Sequence, residues 1–269
     1  MHIALLISGR AARYEVCLLP ILEASTHTID VFMSINDECC EYYETMKIRL
    51  AKWLKGLRFE KYELPSDFKF DVPHNKQLDY HHQIVDGKEV PYNQMSMYYN
   101  DNMSFKMACD YEESNGIKYD LFMKFRADIC CTLMPVKLEK VEESKYLLYS
   151  IVPQCDMMAL AKHKVRIISD AWVWSNKQTM GIYCNTYNYV LEQLNTSNGK
   201  YLVHYESGVT DNIYDNKIPV VYINLPYKLD RNRRILEKPC QTNLGRICGA
   251  RPAIDIHSIK ELDLPIDPI

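Results

Sequence analysis

The chain lacks a strong charge excess and lacks long hydrophobic runs. Its 269 residues carry a formal net charge of -3, which gives no overall attraction to a polyanion, so no nucleic-acid partner is expected. No apolar run approaches the ~20 residues that cross a bilayer, so no membrane span is expected either. Residues 1–8 are apolar but have no basic start or small-residue cleavage site, unlike a signal peptide. These absences predict a cytoplasmic protein.

Several nucleotide-binding and hydrolase motifs are also missing. A Rossmann dinucleotide site needs G-x-G-x-x-G after its first strand, and here only Gly9 is present. No G-x-x-x-x-G-K-[ST] loop and no G-x-S-x-G elbow occurs, which argues against a P-loop nucleotidase and an α/β-hydrolase. An NAD-dependent sugar-modifying enzyme stays open as an alternative, with Asp37 after the second predicted strand as weak support.

Cysteine is plentiful, but its spacing does not indicate metal binding. The chain has 10 cysteines and no C-x-x-C, and the adjacent pairs Cys39–Cys40 and Cys130–Cys131 lack the spacing of a zinc site. For a large chain without a recognisable export signal, free thiols are the expected state.

Strand and helix patterns alternate along the chain, which predicts an α/β fold with a mostly parallel sheet flanked by helices. Predicted strands cover residues 3–7, 29–35, 57–64, 119–125, 145–152 and 220–225. Predicted helices cover 14–24, 38–54, 102–113, 175–194 and 209–213, and 65–95 is expected to form a long ordered loop.

Polar residues that follow the predicted strands are the first site candidates, because ligands of open α/β sheets bind beyond the carboxyl ends of the strands. They are Ser8, Gly9, Arg10 and Arg13 after the first strand, Asn36 after the second, and Arg126 and Asp128 after the fourth. Glycine lets a ligand approach the backbone, arginine suits phosphate, and an aspartate facing phosphate suits Mg²⁺ or Mn²⁺. The structural alternative is a simple Arg126–Asp128 ion pair.

Four segments, in order, carry a resemblance to a known family. They are residues 3–10 with 30–36, the Y-D-L-F-M-K-F-R-A-D run at 119–128, residues 168–172, and residues 204–206 with the strand that follows. They resemble a group of GT-A-fold glycosyltransferases found in polysaccharide synthesis and in large DNA viruses, in which R-x-D stands in place of D-x-D. The resemblance implies a GT-A-like, Rossmann-related sheet, a nucleotide-sugar donor such as a UDP-sugar, and a glycan acceptor.

The same resemblance implies an organisation and a cofactor. It predicts a single GT-A-like domain over 1–269, with a nucleotide-sugar-binding half at 1–130, an acceptor half at 131–235 and an irregular tail at 236–269. Mn²⁺ or Mg²⁺ would bind at Asp128 beside the donor diphosphate. Two departures stand out: Arg126 replaces the first acid of D-x-D, and Ser207 replaces the second acid of the family's x-E-D region.

Two carboxylates are candidates for activating the acceptor hydroxyl. Glu206 occupies the family's acid position and is predicted to be the base, while Asp170 is predicted to bind the acceptor, with Trp172 and Trp174 stacking on its sugar. The structural alternatives are that Asp170 caps a helix beside two core tryptophans and that Glu206 favours a helix dipole. A non-catalytic nucleotide- or sugar-binding protein that retains the fold is the alternative function.

Overall fold

The computed structural model describes most of the chain up to residue 229. The described residues are 1–9, 14–35, 43–60, 62–63, 65, 83–85, 88–90, 92–127, 129–131, 138, 140–152, 168–201, 205–224 and 227–229. Of the predicted site residues, Arg10, Arg13, Asn36 and Asp128 lie outside these ranges.

A seven-stranded sheet forms the centre of the described structure, with strand order β10-β8-β9-β6-β1-β2-β3. Its strands are β1 (His2–Gly9), β2 (Thr28–Ile35), β3 (Leu54–Phe59), β6 (Leu121–Phe125), β8 (Leu148–Val152), β9 (Trp172–Ser175) and β10 (Val220–Asn224). Only β9 among them runs antiparallel to its neighbours, β6 and β8. Two short antiparallel pairs join β4 (Gln83–Val85) to β5 (Lys88–Val90) and β7 (Ile129–Cys131) to β11 (Tyr227–Leu229).

Helices cover both faces of the sheet. On one face lie α1 (Tyr14–Cys17), α2 (Leu19–Ala24) and α3 (Tyr43–Leu50), and on the other lie α4 (Tyr92–Asn115), α5 (Lys177–Cys184), α6 (Thr186–Thr196) and α7 (Tyr205–Asp215). Along β1, Leu5 and Ile7 pack into the first layer, whereas Ala4 and Leu6 pack into the second. A strand buried on both faces reads as a continuous apolar run, which is the pattern of β1. The predicted fold class is therefore confirmed.

The strand β9 was not among the predicted elements. Residues Trp172–Ser175 are all buried, and they pair with both β6 and β8 inside the sheet. Four residues are too few to show the alternating pattern of a strand, so this strand could not be recognised from the sequence.

The predicted helix at 175–194 is two helices, α5 and α6, which meet at Asn185. The side-chain amide of Asn102 donates to the carbonyl of Cys184 at 3.1 Å, and that of Asn212 donates to the carbonyl of Ile182 at 2.7 Å. Carbonyls at the end of a helix lack some of their partners within it. The carbonyl of Ile182 also accepts from the amide of Asn185 at 3.2 Å, and the two asparagine side chains add to the hydrogen bonds at this helix end.

The predicted boundaries of two other helices were wrong. The helix predicted over 38–54 ends at Leu50, because Leu54 already belongs to β3. The helix predicted over 102–113 begins at Tyr92, so part of the expected 65–95 loop is helical, and another part forms the β4–β5 hairpin.

Two sequence expectations can be checked on the described part of the chain. Cys17, Cys109 and Cys184 are free thiols there. None of the helices in the described ranges combines the length and the hydropathy needed to cross a membrane.

Candidate functional site

The carboxyl ends of β1, β2, β3 and β6 meet at one edge of the sheet. Ser8 lies opposite Ser34, Ile35 lies opposite Phe59, and Ile7 lies opposite Phe125. The chain steps from β1 outward through β2 to β3 and then returns to β6 on the other side of β1. This reversal makes the β1–β6 crevice the topological switch point, where open α/β sheets bind ligands.

A buried polar contact lies directly beneath this crevice. The hydroxyl of Ser8 donates to Oδ1 of Asp101 on α4, and the ammonium of Lys124 on β6 lies 3.6 Å from Oδ2 of the same carboxylate. Lys124 is fully buried, and its Nζ also donates to the backbone carbonyl of Asp170. A buried charge persists when it is paired and hydrogen-bonded, and Lys124 meets both conditions.

Arg126 and Asp170 form the more accessible part of the same network. Nη1 of Arg126 donates to Oδ2 of Asp170 at 2.7 Å. The side chain of Arg126 is 22% exposed and that of Asp170 is 6% exposed. The ion pair that the structure records for Arg126 therefore joins it to a residue 44 positions along the chain. The predicted Arg126–Asp128 pair stays a prediction, because Asp128 lies outside the described residues.

The turn that carries Asp170 is fixed by hydrogen bonds from several elements. The amide of Ile168 donates to Oγ1 of Thr210 on α7 at 3.0 Å, and that of Ser169 donates to Oγ of Ser150 on β8 at 3.0 Å. The amide of Arg126 donates to the carbonyl of Ala171 at 3.0 Å. These bonds fix the turn that carries Asp170, and support of this kind is what preorganises a site.

The two buried carboxylates have opposite pKa shifts. Burial raises the pKa of Asp101 above its ordinary value, although Lys124 and Ser8 act against this effect. Burial also acts to raise the pKa of Asp170, but the charges of Arg126 and Lys124 outweigh it and hold the pKa below its ordinary value. A carboxylate with a lowered pKa is a weaker proton acceptor, so Asp170 suits binding better than base catalysis.

The other candidate acid, Glu206, belongs to α7, and its side chain lies outside the described part of the structure. The bond from Ile168 to Thr210 fixes α7 against the Asp170 turn, and position 206 precedes Thr210 by four residues, hence one turn on the same face of the helix. The absence of a side chain at Gly208 lets α7 pack closely against Tyr98 and Val190. A Cβ at Gly208 would lie 2.5 Å from Oη of Tyr98 and 2.9 Å from Cγ2 of Val190.

Gly9 ends β1 at the crevice with φ of +81°. This conformation suits glycine, and none of the described atoms lies within 4 Å of the place where a Cβ would be.

The two tryptophans predicted to stack on an acceptor lie in the core. Trp174 is fully buried and stacks on Tyr149 with ring centroids 5.1 Å apart, and Trp172 is 6% exposed and packs edge-on against Phe125 at 5.2 Å. Both therefore serve the packing of β9 against its neighbours. Their role in acceptor binding stays a prediction that this burial does not support.

The metal prediction depends on Asp128. Within the described ranges, no three His, Cys, Asp or Glu side chains lie close enough together to hold a metal ion. Asp101 accepts from Ser8 and forms an ion pair with Lys124, and Asp170 accepts from Arg126, so these carboxylates have partners within the protein.

Three residues of the site were missed by sequence reasoning. Asp101 and Lys124 form the buried centre, and Asn100 extends the network to β2 by accepting from the hydroxyl of Ser34 at 2.7 Å. One signal was available, because a lysine inside an apolar strand run requires a buried partner. The sequence did not show that this partner would come from a helix more than 20 positions earlier.

No protein-family model and no curated protein matches the chain. One similar solved structure is a glycosyltransferase involved in the glycosylation of the major capsid of PBCV-1, with 11% identity over 83% of this chain and 82% of that chain and a TM-score of 0.38. Another is mouse xyloside xylosyltransferase 1 in its apo form, with 10% identity over 82% and 84% and a TM-score of 0.37. At these values the likenesses carry no argument about activity.

Proposed function

We propose that this protein is a glycosyltransferase that moves a sugar from a nucleotide-diphosphate donor, such as a UDP-sugar, to a glycan hydroxyl. One observation carries the proposal: the Arg126–Asp170 pair lies at the carboxyl end of β6, which borders the switch point, and it belongs to the same network as the buried Lys124 and Asp101. A cation and a carboxylate side by side at such an edge suit a reaction that stabilises a leaving phosphate and orients a hydroxyl. The resemblance of residues 119–128 to an R-x-D segment supports the same reading.

In the proposed reaction, the acceptor hydroxyl oxygen forms a bond to the anomeric carbon of the donor. The bond from that carbon to the diphosphate oxygen breaks, and the nucleoside diphosphate leaves with the bonding electron pair. The hydroxyl proton passes to a carboxylate if the reaction inverts the anomer. Arg10, Arg13 and Arg126 stabilise the negative charge of the leaving diphosphate, and Ser8, Gly9 and Asn36 line the nucleotide side.

Glu206 is the proposed base and Asp170 the proposed acceptor ligand. The lowered pKa of Asp170 and its bond to Arg126 make it a poor proton acceptor but a good hydrogen-bond acceptor for a hydroxyl. Position 206 precedes Thr210 on α7 by one helical turn, and Thr210 accepts from the amide of Ile168, which supports the choice of Glu206. The proposed cofactor is Mn²⁺ or Mg²⁺ at Asp128, where it would neutralise diphosphate charge.

Thermal shift with a panel of nucleoside diphosphates and nucleotide sugars, with and without Mn²⁺, tests donor binding. A ligand that binds the folded state raises the apparent Tm by mass action. We expect one nucleoside diphosphate and its sugar conjugates to raise Tm, and Arg10→Ala or Arg13→Ala to reduce that shift. No shift with any nucleotide would contradict the proposal.

One feature favours the non-catalytic alternative: the carboxylates of Asp101 and Asp170 both accept hydrogen bonds from partners within the protein. A binding protein of this kind would show the same thermal shifts but would not release nucleoside diphosphate from any donor. Donor hydrolysis without acceptor therefore separates the two functions.

A further inference from the structure

A second pocket lies at the same edge of the sheet, two strands away from the crevice. Its lining residues are Glu60, Tyr62, Glu63 and Tyr99, which we call the tyrosine–glutamate pocket, and its volume is about 360 Å³. Glu60 follows β3 directly, and its amide continues the ladder by donating to the carbonyl of Ile35 at 3.3 Å. A cavity of this size lies at the small end of the range for ligand pockets, about 300–1,000 Å³.

The aromatic wall of the pocket is held rigidly. The ring of Tyr62 lies 5.1 Å from that of Tyr99 and 5.9 Å from that of Tyr187, and the Tyr99 and Tyr187 rings are 5.4 Å apart, all between centroids. The hydroxyls of Tyr62 and Tyr187 are 3.3 Å apart, within hydrogen-bond distance. Three rings that fix one another lose little freedom when a ligand binds, which favours recognition.

Arg58 fixes the polar side of the pocket. Its Nη2 donates to Oη of Tyr99 at 2.7 Å and to Oε2 of Glu60, and its guanidinium carbon lies 5.4 Å from the centroid of the Tyr99 ring. The positive charge of Arg58 thereby offsets the negative charge of Glu60. Glu63 is exposed and lines the pocket, so its carboxylate can accept hydrogen bonds from a ligand there.

The chemistry of this lining selects among ligands. Two carboxylates repel a phosphate, so the diphosphate of a donor does not belong here. A purely apolar ligand would leave the carboxylates and phenols without partners. A ligand cation would compete with the guanidinium of Arg58, which already lies over the Tyr99 ring. A neutral ligand with many hydroxyl donors and an apolar face fits the carboxylates and the rings together, and a sugar has both.

We propose that the tyrosine–glutamate pocket binds one neutral sugar unit of the glycan acceptor. The term acceptor rests on the proposed function, whereas sugar binding in this pocket does not. Hydroxyls of the sugar donate to Glu63 and Glu60, and its carbon-bound hydrogens pack on the rings of Tyr62 and Tyr99.

Saturation-transfer NMR on the full chain tests this proposal with the methyl glycosides of glucose, galactose, mannose and xylose at millimolar concentration. We expect at least one glycoside to bind and to stay bound when UDP is present in excess. Glu63→Ala should weaken this binding about tenfold, in the range of a lost hydrogen bond to a charged group. Glu44→Ala is the matched control, because Glu44 is an exposed glutamate on α3 and should leave binding unchanged.

Several results would overturn the proposal. They are failure of all four glycosides to bind, displacement of the bound glycoside by UDP, and equal binding by the Glu63→Ala and Glu44→Ala variants. Binding of tetramethylammonium without any glycoside would assign the pocket to cations instead. Glycoside binding that depends on Glu63, in a protein that releases no nucleoside diphosphate from any donor, would uphold the pocket and reject the glycosyltransferase.

Discussion

Nη1 of Arg126 lies 2.7 Å from Oδ2 of Asp170, and this bond joins the end of β6 to the turn that precedes β9. The sequence alone assigns these two residues to different parts of the site. Arg126 is predicted as a cation on the donor side, and Asp170 is predicted as an acid on the acceptor side. In the structure they form a single polar unit at the sheet edge. A change to either one is therefore expected to affect both halves of the proposed reaction.

The first prediction separates the base from the acceptor ligand. Glu206→Gln should lower kcat by roughly 10²–10⁴-fold, since it removes the proposed general base. Asp170→Asn keeps a hydrogen-bond acceptor and should act mainly on the acceptor KM. Steady-state kinetics at saturating donor measures both. Unchanged turnover in Glu206→Gln beside an inactive Asp170→Asn would reverse the two roles.

The second prediction concerns the buried lysine. Lys124→Met removes the partner of Asp101 and should lower the free energy of unfolding by about 3–5 kcal/mol, the usual cost of breaking a buried ion pair. Lys47→Met is the control, because Lys47 is an exposed helix residue whose ammonium pairs with the exposed Glu44 at 3.2 Å, and its loss should cost less than about 1 kcal/mol. Urea unfolding measures both. Equal effects would show that Lys124 is not part of a buried network.

The third prediction is a pH dependence of opposite sign for the two carboxylates. The folded-state pKa of Asp170 is lowered, so its contribution to stability is present above the ordinary aspartate pKa of about 3.9 and is lost as pH falls through the folded value. The stability difference between wild type and Asp170→Asn should therefore be about 1.5–3 kcal/mol at pH 7 and shrink below pH of about 4.

For Asp101 the sign is reversed, because its folded-state pKa is raised. Its ionisation costs stability, which falls as pH rises from the ordinary aspartate pKa through the folded value. The stability of Asp101→Asn relative to wild type should thus increase as pH rises above about 4. Urea unfolding across pH 3 to 7 checks both variants, and a parallel pH profile for the two would contradict these assignments.

The fourth prediction tests the packing of α7. Gly208→Ala puts a Cβ 2.5 Å from Oη of Tyr98, and overpacking of this kind costs about 1–3 kcal/mol. The displaced helix also carries position 206, so kcat should fall with stability. Gly181→Ala is the matched helical control, since its nearest neighbour is Cζ of Phe105 at 3.3 Å, and we expect a change within about 1 kcal/mol. Equal Tm values for both variants would contradict the tight α7 packing.

The sequence predicted the parts of the fold that have a clear period. The strands around Ile7, Ile35 and Phe125 follow from continuous apolar runs, and their carboxyl ends converge as expected. The short strand β9 and the break at Asn185 could not be predicted. Both depend on tertiary partners, the first on two neighbouring strands and the second on the amides of Asn102 and Asn212.

The structure brings together some of the residues that the sequence put forward for the site. Ser8, Gly9, Arg126 and Asp170 were identified from strand ends and from the family resemblance, and the structure places Ser8, Arg126 and Asp170 in one network. Asp101 was missed because it belongs to a helix, and helix residues give no sequence signal of the strand they contact. Trp172 and Trp174 were assigned to the acceptor because aromatic residues serve both cores and sugar sites, and burial alone distinguishes these roles.

Release of nucleoside diphosphate from a panel of nucleotide sugars is the measurement that tests the central claim most directly. We expect wild type with Mn²⁺ to turn over at least one donor, and Asp128→Ala to fold normally but to lose this turnover. A chelator should have the same effect on wild type. Nucleotide binding without release from any donor would contradict the claim of glycosyl transfer and establish the non-catalytic alternative, and full turnover in Asp128→Ala would contradict the metal role.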